Sequence, residues 1–241
     1  MPERMETNVA IIPARGGSKR IPGKNLKMFA GLPIIAHSIR VALASGLFDQ
    51  VVVSTDDPEI EAVAREYGAQ VPFRRPAHLA DDHATTQAVV SHALQALASQ
   101  GHVLTHACCI YATAPFVQQR YLQQGLALLR QHPERSFAFS VSSFGFPVQR
   151  ALSLDDQGAL VPLYPQYRET RSQDLAPAYQ DAGQFYWGRV QAWLQNEALH
   201  SERSLPVIIP RHLVQDIDSE EDWLRAQYLY AALKAGGELA P

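Results

Sequence analysis

Short apolar runs alternate with longer stretches of helical spacing over roughly the first 145 residues. The run from Asn8 to Ala14 predicts a strand, and the spacing after it predicts a helix from Pro33 to Ser45, with Pro at its start and Gly46 past its end. Gln50 to Thr55 predicts the next strand. Asp57 and Pro58 form an N-cap and first-turn pair that opens a helix through Tyr67. A short strand is expected at Gln70 to Phe73, and a helix from Thr85 to Ser99. Two more strands, Thr105 to Tyr111 and Ser136 to Ser142, flank a helix from Gln118 to Gln131. Strand–helix alternation at this rhythm predicts an α/β protein with a doubly wound, mostly parallel sheet, whose ligands sit beyond the carboxyl ends of the strands.

The rhythm stops at about residue 144. From there to Asp181 no long helical pattern occurs; a "DDQG" turn at 155–158 separates short apolar stretches, and a polar stretch, "YRETRSQDLAPAYQD", follows. We read 144–181 as an inserted arm, too small to fold alone, that either covers the site or reaches a second copy of the chain. A strand at Gly183 to Trp187, a further one at Pro206 to Ile209 and a helix from Glu220 to about Ala235 complete the pattern. The 241 residues therefore make one domain carrying one arm.

Charge and composition narrow the class. A net charge of −3 argues against a general nucleic-acid binder. With no charged-then-apolar opening and no apolar run of about 18 residues, no membrane segment is expected, and the expected location is cytoplasmic. Cys108 and Cys109 are adjacent strand positions facing opposite ways, which predicts buried thiols and no disulfide.

Three stretches carry chemistry. "IIPARGGSKRIPGKN" (11–25) follows the first strand, and from Thr7 to Phe48 there is no acidic residue against six Lys and Arg. Gly16 and Gly17 let backbone N–H groups approach an anion, so the loop suits a polyphosphate, although its spacing fits neither a Walker loop nor a dinucleotide fingerprint. In "VQDIDSEEDW" (214–223), Asp216 and Asp218 are two apart and share one side of an extended chain. Two carboxylates so placed suit Mg²⁺, and phosphoryl transfer needs both metal and cations; alternatively, Asp218 or Ser219 caps the last helix. In the arm, Arg168 and Arg171 suit a bidentate grip on a carboxylate, or a surface role, with Gly183, Gln184 and Phe185 as a pocket floor. His83, in a polar loop, is the one histidine considered as a base.

Together with "STDD" (54–57), "RPAHLADDHATT" (75–86) and "YATAPF" (111–116), these stretches resemble the cytidylyltransferases that activate nonulosonic acids, the CMP-sialic acid synthetase family. "TRSQDLAPAYQDAGQFYWG" (170–188) and "FPVQRAL" (146–152) resemble its pseudaminic acid branch most. The resemblance implies a nucleotide-diphospho-sugar transferase fold and a homodimer. It implies that CTP is held by Ala14, Arg15, Gly16, Gly17, Ser18, Lys24 and Asn25, with Arg75, Ala84 and Thr86 at the cytidine and its ribose. It also implies Mg²⁺ on Asp216 and Asp218, catalytic charge stabilisation by Arg15 and Lys24, and sugar contacts from Tyr111, Arg168, Arg171, Gln184 and Phe185. The sialic acid enzymes usually have "QPTSP" where this chain has "YATAP", and "NGA" where it has "AGQF", so an altered sugar pocket is expected. The implied reaction joins a nonulosonic acid to CMP and releases pyrophosphate. The alternatives are an enzyme acting on N-acetylneuraminate, legionaminate or 3-deoxy-octulosonate, a GT-A glycosyltransferase, and a non-catalytic nucleotide-binding module.

Overall fold

The computed structural model describes residues 6–239. In chain order, β1 (Asn8–Pro13) leads through the basic loop to a small hairpin of β2 (Met28–Phe29) and β3 (Leu32–Pro33), then α1 (Ile34–Ala44), β4 (Gln50–Ser54) and α2 (Pro58–Glu66). α3 (Thr86–Ser99), β5 (His106–Ile110), α4 (Gln119–Gln131) and β6 (Phe137–Ser143) follow. After β7 (Leu152–Leu154) and β8 (Leu160–Pro162) come β9 (Tyr179–Arg189), α5 (Val190–Leu194), β10 (Ser204–Ile208) and α6 (Glu220–Ala235). The main sheet has the order β10-β6-β9-β5-β1-β4. Every pairing in it is parallel except those of β9, which runs antiparallel to both β5 and β6.

Alternation along the strands gives the sheet two apolar faces. Ala10 and Ile12 join the core beneath α1, α2, α4 and α6, while Val9 and Ile11 join the core beneath α3 and α5. Cys108 and Cys109 part in the same way, one to each core, and both are free thiols. The helix starts follow from side-chain caps. Asp57 accepts from the N–H groups of Glu59 and Ile60, Thr85 from that of Ala88, and Ser219 exchanges bonds with Asp222 in a capping box.

Several expectations are corrected. Gln70 makes one parallel bridge to Val52 and no strand follows, because Pro72 has no N–H to extend a ladder. Pro33 caps α1 from outside rather than opening it. β9 begins at Tyr179, inside the expected arm, and α5 was not foreseen. The arm is a two-stranded hairpin, β7 with β8, and three single 3₁₀ turns joined by irregular chain. Asp155 closes its turn by accepting from the N–H groups of Gln157 and Ala159. Among the described residues no helix is long and apolar enough to cross a membrane.

Candidate active site

A cleft of about 250 Å³ opens beyond the carboxyl ends of β1 and β5, where the fold leads a ligand to be expected. Arg15, Ser18, Lys19, Arg20, Lys24 and Asn25 line it from the basic loop, Arg75, Asp82, Ala84 and Thr86 from the segment entering α3, and Tyr111 and Thr113 from the end of β5. The loop is fixed from several sides. The N–H of Ala14 continues the ladder to the Ser54 carbonyl (2.9 Å), and the buried Asn25 amide donates to the Arg15 carbonyl (2.9 Å). The N–H of Gly16 donates to Asp56 Oδ1 at 3.2 Å, and a Cβ at position 16 would lie 3.0 Å from both Cβ and Cγ of Asp57. Gly17 has open space around it. Of these two adjacent glycines, packing therefore requires Gly16 and not Gly17.

The cations of the loop are already engaged by carboxylates. Asp82 pairs with Arg15 (2.8 Å) and with Lys19, and these two bonds hold its carboxyl below the usual range. Arg20 pairs with Asp218 at 2.9 Å. Lys24, largely shielded, donates to the Ile217 carbonyl at 2.7 Å and lies 3.6 Å from Asp218 Oδ1. One lysine thus joins the loop to the acidic pair across 193 residues of sequence. Asp216 titrates above its ordinary range, first because it is buried and second because Asp218 is close by. Two adjacent carboxylates, one destabilised by burial and by its neighbour, form a donor set that a divalent cation would relieve; the remaining ligands would come from water and phosphate. Among the described residues no cluster of three or more metal-ligating side chains occurs.

At the other end of the cleft, Arg75 is 5 % exposed and donates to Ser54 through Nε (3.1 Å) and Nη2; burial pulls its pKa down to about 10. Thr86 and Tyr111 share a hydroxyl–hydroxyl bond of 3.1 Å. Tyr111 tilts against Tyr186 (5.2 Å between centroids), whose hydroxyl donates to Asp181 at 2.9 Å. Burial raises the pKa of both tyrosines.

The remaining expected sugar contacts are not brought together here. Phe185 is fully buried in the core beneath α4, so its side chain does not reach the cleft. Gln184 is also buried; its amide donates to the Leu213 carbonyl at 2.7 Å, and its Oε1 has no protein partner. Arg168 and Arg171 are exposed on the arm and do not line the cleft; Arg171 pairs with Asp174 at 2.8 Å. His83 does not line it either. Asp82 was not foreseen as a site residue, although the acids of "ADDHATT" face an otherwise cationic loop. Lys19 and Arg20 face the cleft beside Lys24.

A mostly parallel α/β sheet with a cationic, glycine-bearing loop at its carboxyl edge and an acidic pair tied to that loop through Lys24 and Arg20 defines a nucleotide-handling transferase. The family model described as cytidylyltransferase matches residues 9–203, and the chain belongs to the cytidylyltransferase family: it is a nucleotidyltransferase. Among its relatives it is 45 % identical over 223 residues to the pseudaminic acid cytidylyltransferase of Campylobacter jejuni subsp. jejuni serotype O:2, covering 92 % of this chain and 96 % of that one. It is 31 % identical to the CMP-N,N'-diacetyllegionaminic acid synthase of Legionella pneumophila, covering 92 % and 95 %. The solved structure of CMP:2-keto-3-deoxy-manno-octonic acid synthetase complexed with CTP shares the fold, with a TM-score of 0.69 at 18 % identity over 94 % of this chain and 99 % of that one.

Proposed function

We propose that this chain activates pseudaminic acid, a nonulosonic acid, with CTP, giving the CMP-sugar and pyrophosphate. The observation that carries the proposal is the joining of the phosphate-type loop to the Asp216–Asp218 pair through Lys24, in a chain 45 % identical to a pseudaminic acid enzyme. The cytidine end would rest on Arg75, Ala84 and Thr86, and the triphosphate on Arg15, Ser18 and the loop backbone. The anomeric hydroxyl oxygen bonds to the α-phosphorus as the bond from that phosphorus to the α–β bridging oxygen breaks; the bridging oxygen leaves with the pyrophosphate, and the hydroxyl proton passes to water. Arg15 and Lys24 would stabilise the charge that grows on the α-phosphate and the leaving group; removing one such donor typically lowers turnover by about 10² to 10³. Asp216 and Asp218 would hold Mg²⁺, which supplies charge at the α-phosphate and acidifies the attacking hydroxyl. Arg20, paired with Asp218 here, would be freed for the pyrophosphate.

The sugar carboxylate needs a cation, and Arg168 and Arg171 lie outside the cleft of their own chain. The arm therefore either folds over the cleft or docks on a second copy. Leu152, Leu154, Leu160 and Leu163, all exposed on or beside the β7–β8 hairpin, favour a homodimer. Light scattering distinguishes the two: a monomer in solution removes the dimer and leaves the lid.

The test of the whole proposal is pyrophosphate release from each nucleoside triphosphate with a panel of purified nonulosonic acids and Mg²⁺. CTP-specific release with pseudaminic acid is expected, while preference for N-acetylneuraminate or legionaminate would reassign the sugar. Asp218→Ala should abolish turnover with the fold intact; undiminished release by that variant refutes the metal role.

A further inference from the structure

Asp181 does not line the cleft but adjoins it through Tyr186 and Tyr111, and it has no role in the reaction proposed above. It sits on β9 at the irregularity in the β6–β9 register, where Ser140 Oγ accepts from the N–H groups of Gln184 (3.3 Å) and Phe185 (3.2 Å). A bulge of this kind re-aims side chains beside it. The carboxylate is held in place: Oδ1 accepts from the N–H of Gly183 at 2.9 Å, and the Tyr186 hydroxyl donates at 2.9 Å. His200 Nε2 stands 3.5 Å from Oδ2, and 31 % of the Asp181 side chain is still open.

Gly183 sets what lies on either side. Its φ of +62° is in the left-handed region, and a Cβ there would stand 3.5 Å from the Asp216 carboxylate. Asp181 is thus fixed to the backbone of the residue that faces Asp216, and through Tyr186 it adjoins Tyr111, which lines the cleft. In the proposed reaction a sugar bound beside Asp216 would lie in this region.

We propose that Asp181 is a specificity-determining residue of the acceptor site, accepting a hydrogen bond from a neutral donor on the sugar, an acylamino N–H or a hydroxyl. The inference rests on the proposed acceptor being a nonulosonic acid. A carboxylate offers about four lone-pair positions, and the Tyr186 proton, the Gly183 N–H and His200 fill at most three. With Asp216 close by, a second negative charge repels the sugar's own carboxylate and selects its uncharged, donor-bearing side. Glycan acids differ on that side, since pseudaminic acid carries two acylamino groups and N-acetylneuraminic acid carries one.

The experiment measures KM separately for CTP and for each sugar with wild type, Asp181→Ala and Tyr186→Phe. Losing a charge-assisted bond predicts that Asp181→Ala raises KM for pseudaminic acid roughly tenfold or more, with KM for CTP within about twofold and discrimination against N-acetylneuraminic acid reduced. Tyr186→Phe removes one anchor but keeps the carboxylate and its Gly183 N–H bond, so its sugar KM should rise much less than that of Asp181→Ala. A rise confined to pseudaminic acid supports the inference, whereas an equal rise with both sugars shows that Asp181 binds without discriminating and overturns its role in specificity. An unchanged sugar KM in Asp181→Ala, a parallel rise in KM for CTP, or a Tyr186→Phe variant that reproduces Asp181→Ala overturns it. A wild-type chain that turns over no nonulosonic acid refutes instead the function on which the inference rests.

Discussion

The two glycines of the basic loop make a sharp pair of predictions. At Gly16 an added methyl meets the Asp57 side chain, with Cβ and Cγ both at 3.0 Å, and the atoms it displaces belong to the cap of α2. Relief requires either that Asp57 release the Glu59 and Ile60 N–H groups, or that the loop move away from Asp56. Loss of a cap costs about 1 kcal/mol, and overpacking costs about 1–3 kcal/mol in total. For a chain of this size each kcal/mol lowers Tm by about 2–4 °C, so Gly16→Ala should lose roughly 2–12 °C. Because the same loop holds Arg15 and Ser18, KM for CTP should rise as well. Gly17→Ala meets nothing within 4 Å and should keep wild-type stability, so any activity it loses reports the approach of a ligand to the backbone. The decisive measurement is a double-mutant cycle with Asp57→Gly, which removes every atom in the clash and leaves a tolerated cap residue. The cost of Gly16→Ala should shrink by most of its value in that background. Purely additive effects, or a Gly16→Ala protein that melts with wild type, would show that the contact with Asp57 does not decide the residue.

Further outcomes are equally specific. Asp82 pairs with Arg15 and Lys19, so Asp82→Asn should lower KM for CTP severalfold in steady-state assays; an unchanged or higher value counts against competition between this carboxylate and the triphosphate. Cys108 and Cys109 are fully buried with thiol pKa values pushed up, so neither should react with an aromatic disulfide reagent at neutral pH until the protein unfolds. His37 and His106 have pKa values lowered from 6.5, chiefly by burial, so the unfolded chain binds more protons than the folded one below that pH. Their contribution is complete above 6.5 and is lost as pH falls below it, by up to about 1.4 kcal/mol per pH unit for each. The urea midpoint should therefore drop between about pH 7 and about pH 5.5, and a flat profile would contradict burial of the neutral rings.

The order of elements and the doubly wound class were legible because the strands that lie between helix layers are uniformly apolar while the helices carry one apolar stripe. Asp57 and Ser219 announced their helices by capping chemistry alone. The short strand at Gln70 misled because an apolar run around Pro72 resembles a strand locally, and only the ladder exposes the missing donor. The placement of β9 could not be read, since antiparallel insertion between β5 and β6 is a tertiary choice that leaves no local mark. In the cleft, the loop cations and the acidic pair were visible as charge patterns. The pairing of Lys24 with Ile217 and Asp218, and the anchoring of Asp181 by Tyr186 and Gly183, depend on distances no spacing encodes. Phe185 was misjudged because its neighbours in the motif suggested a pocket, whereas the bulge turns its ring into the core.

The position of β9 also dictates an order of assembly. β5 and β6 are neighbours in sequence but never pair; they meet only through a strand made some forty residues after β6 begins. Until β9 inserts, the β4-β1-β5 sheet ends in an open edge at β5 and β6 has no strand partner, since β10 is made later still; this is the condition most exposed to mispairing during synthesis. The acidic pair comes later still, and Arg20 waits 198 residues for Asp218. A growing or truncated chain therefore has its cationic loop early and its counter-charges last. A chain stopped before β9 should appear as an aggregate, and one stopped after β10 as a folded sheet without its acidic pair.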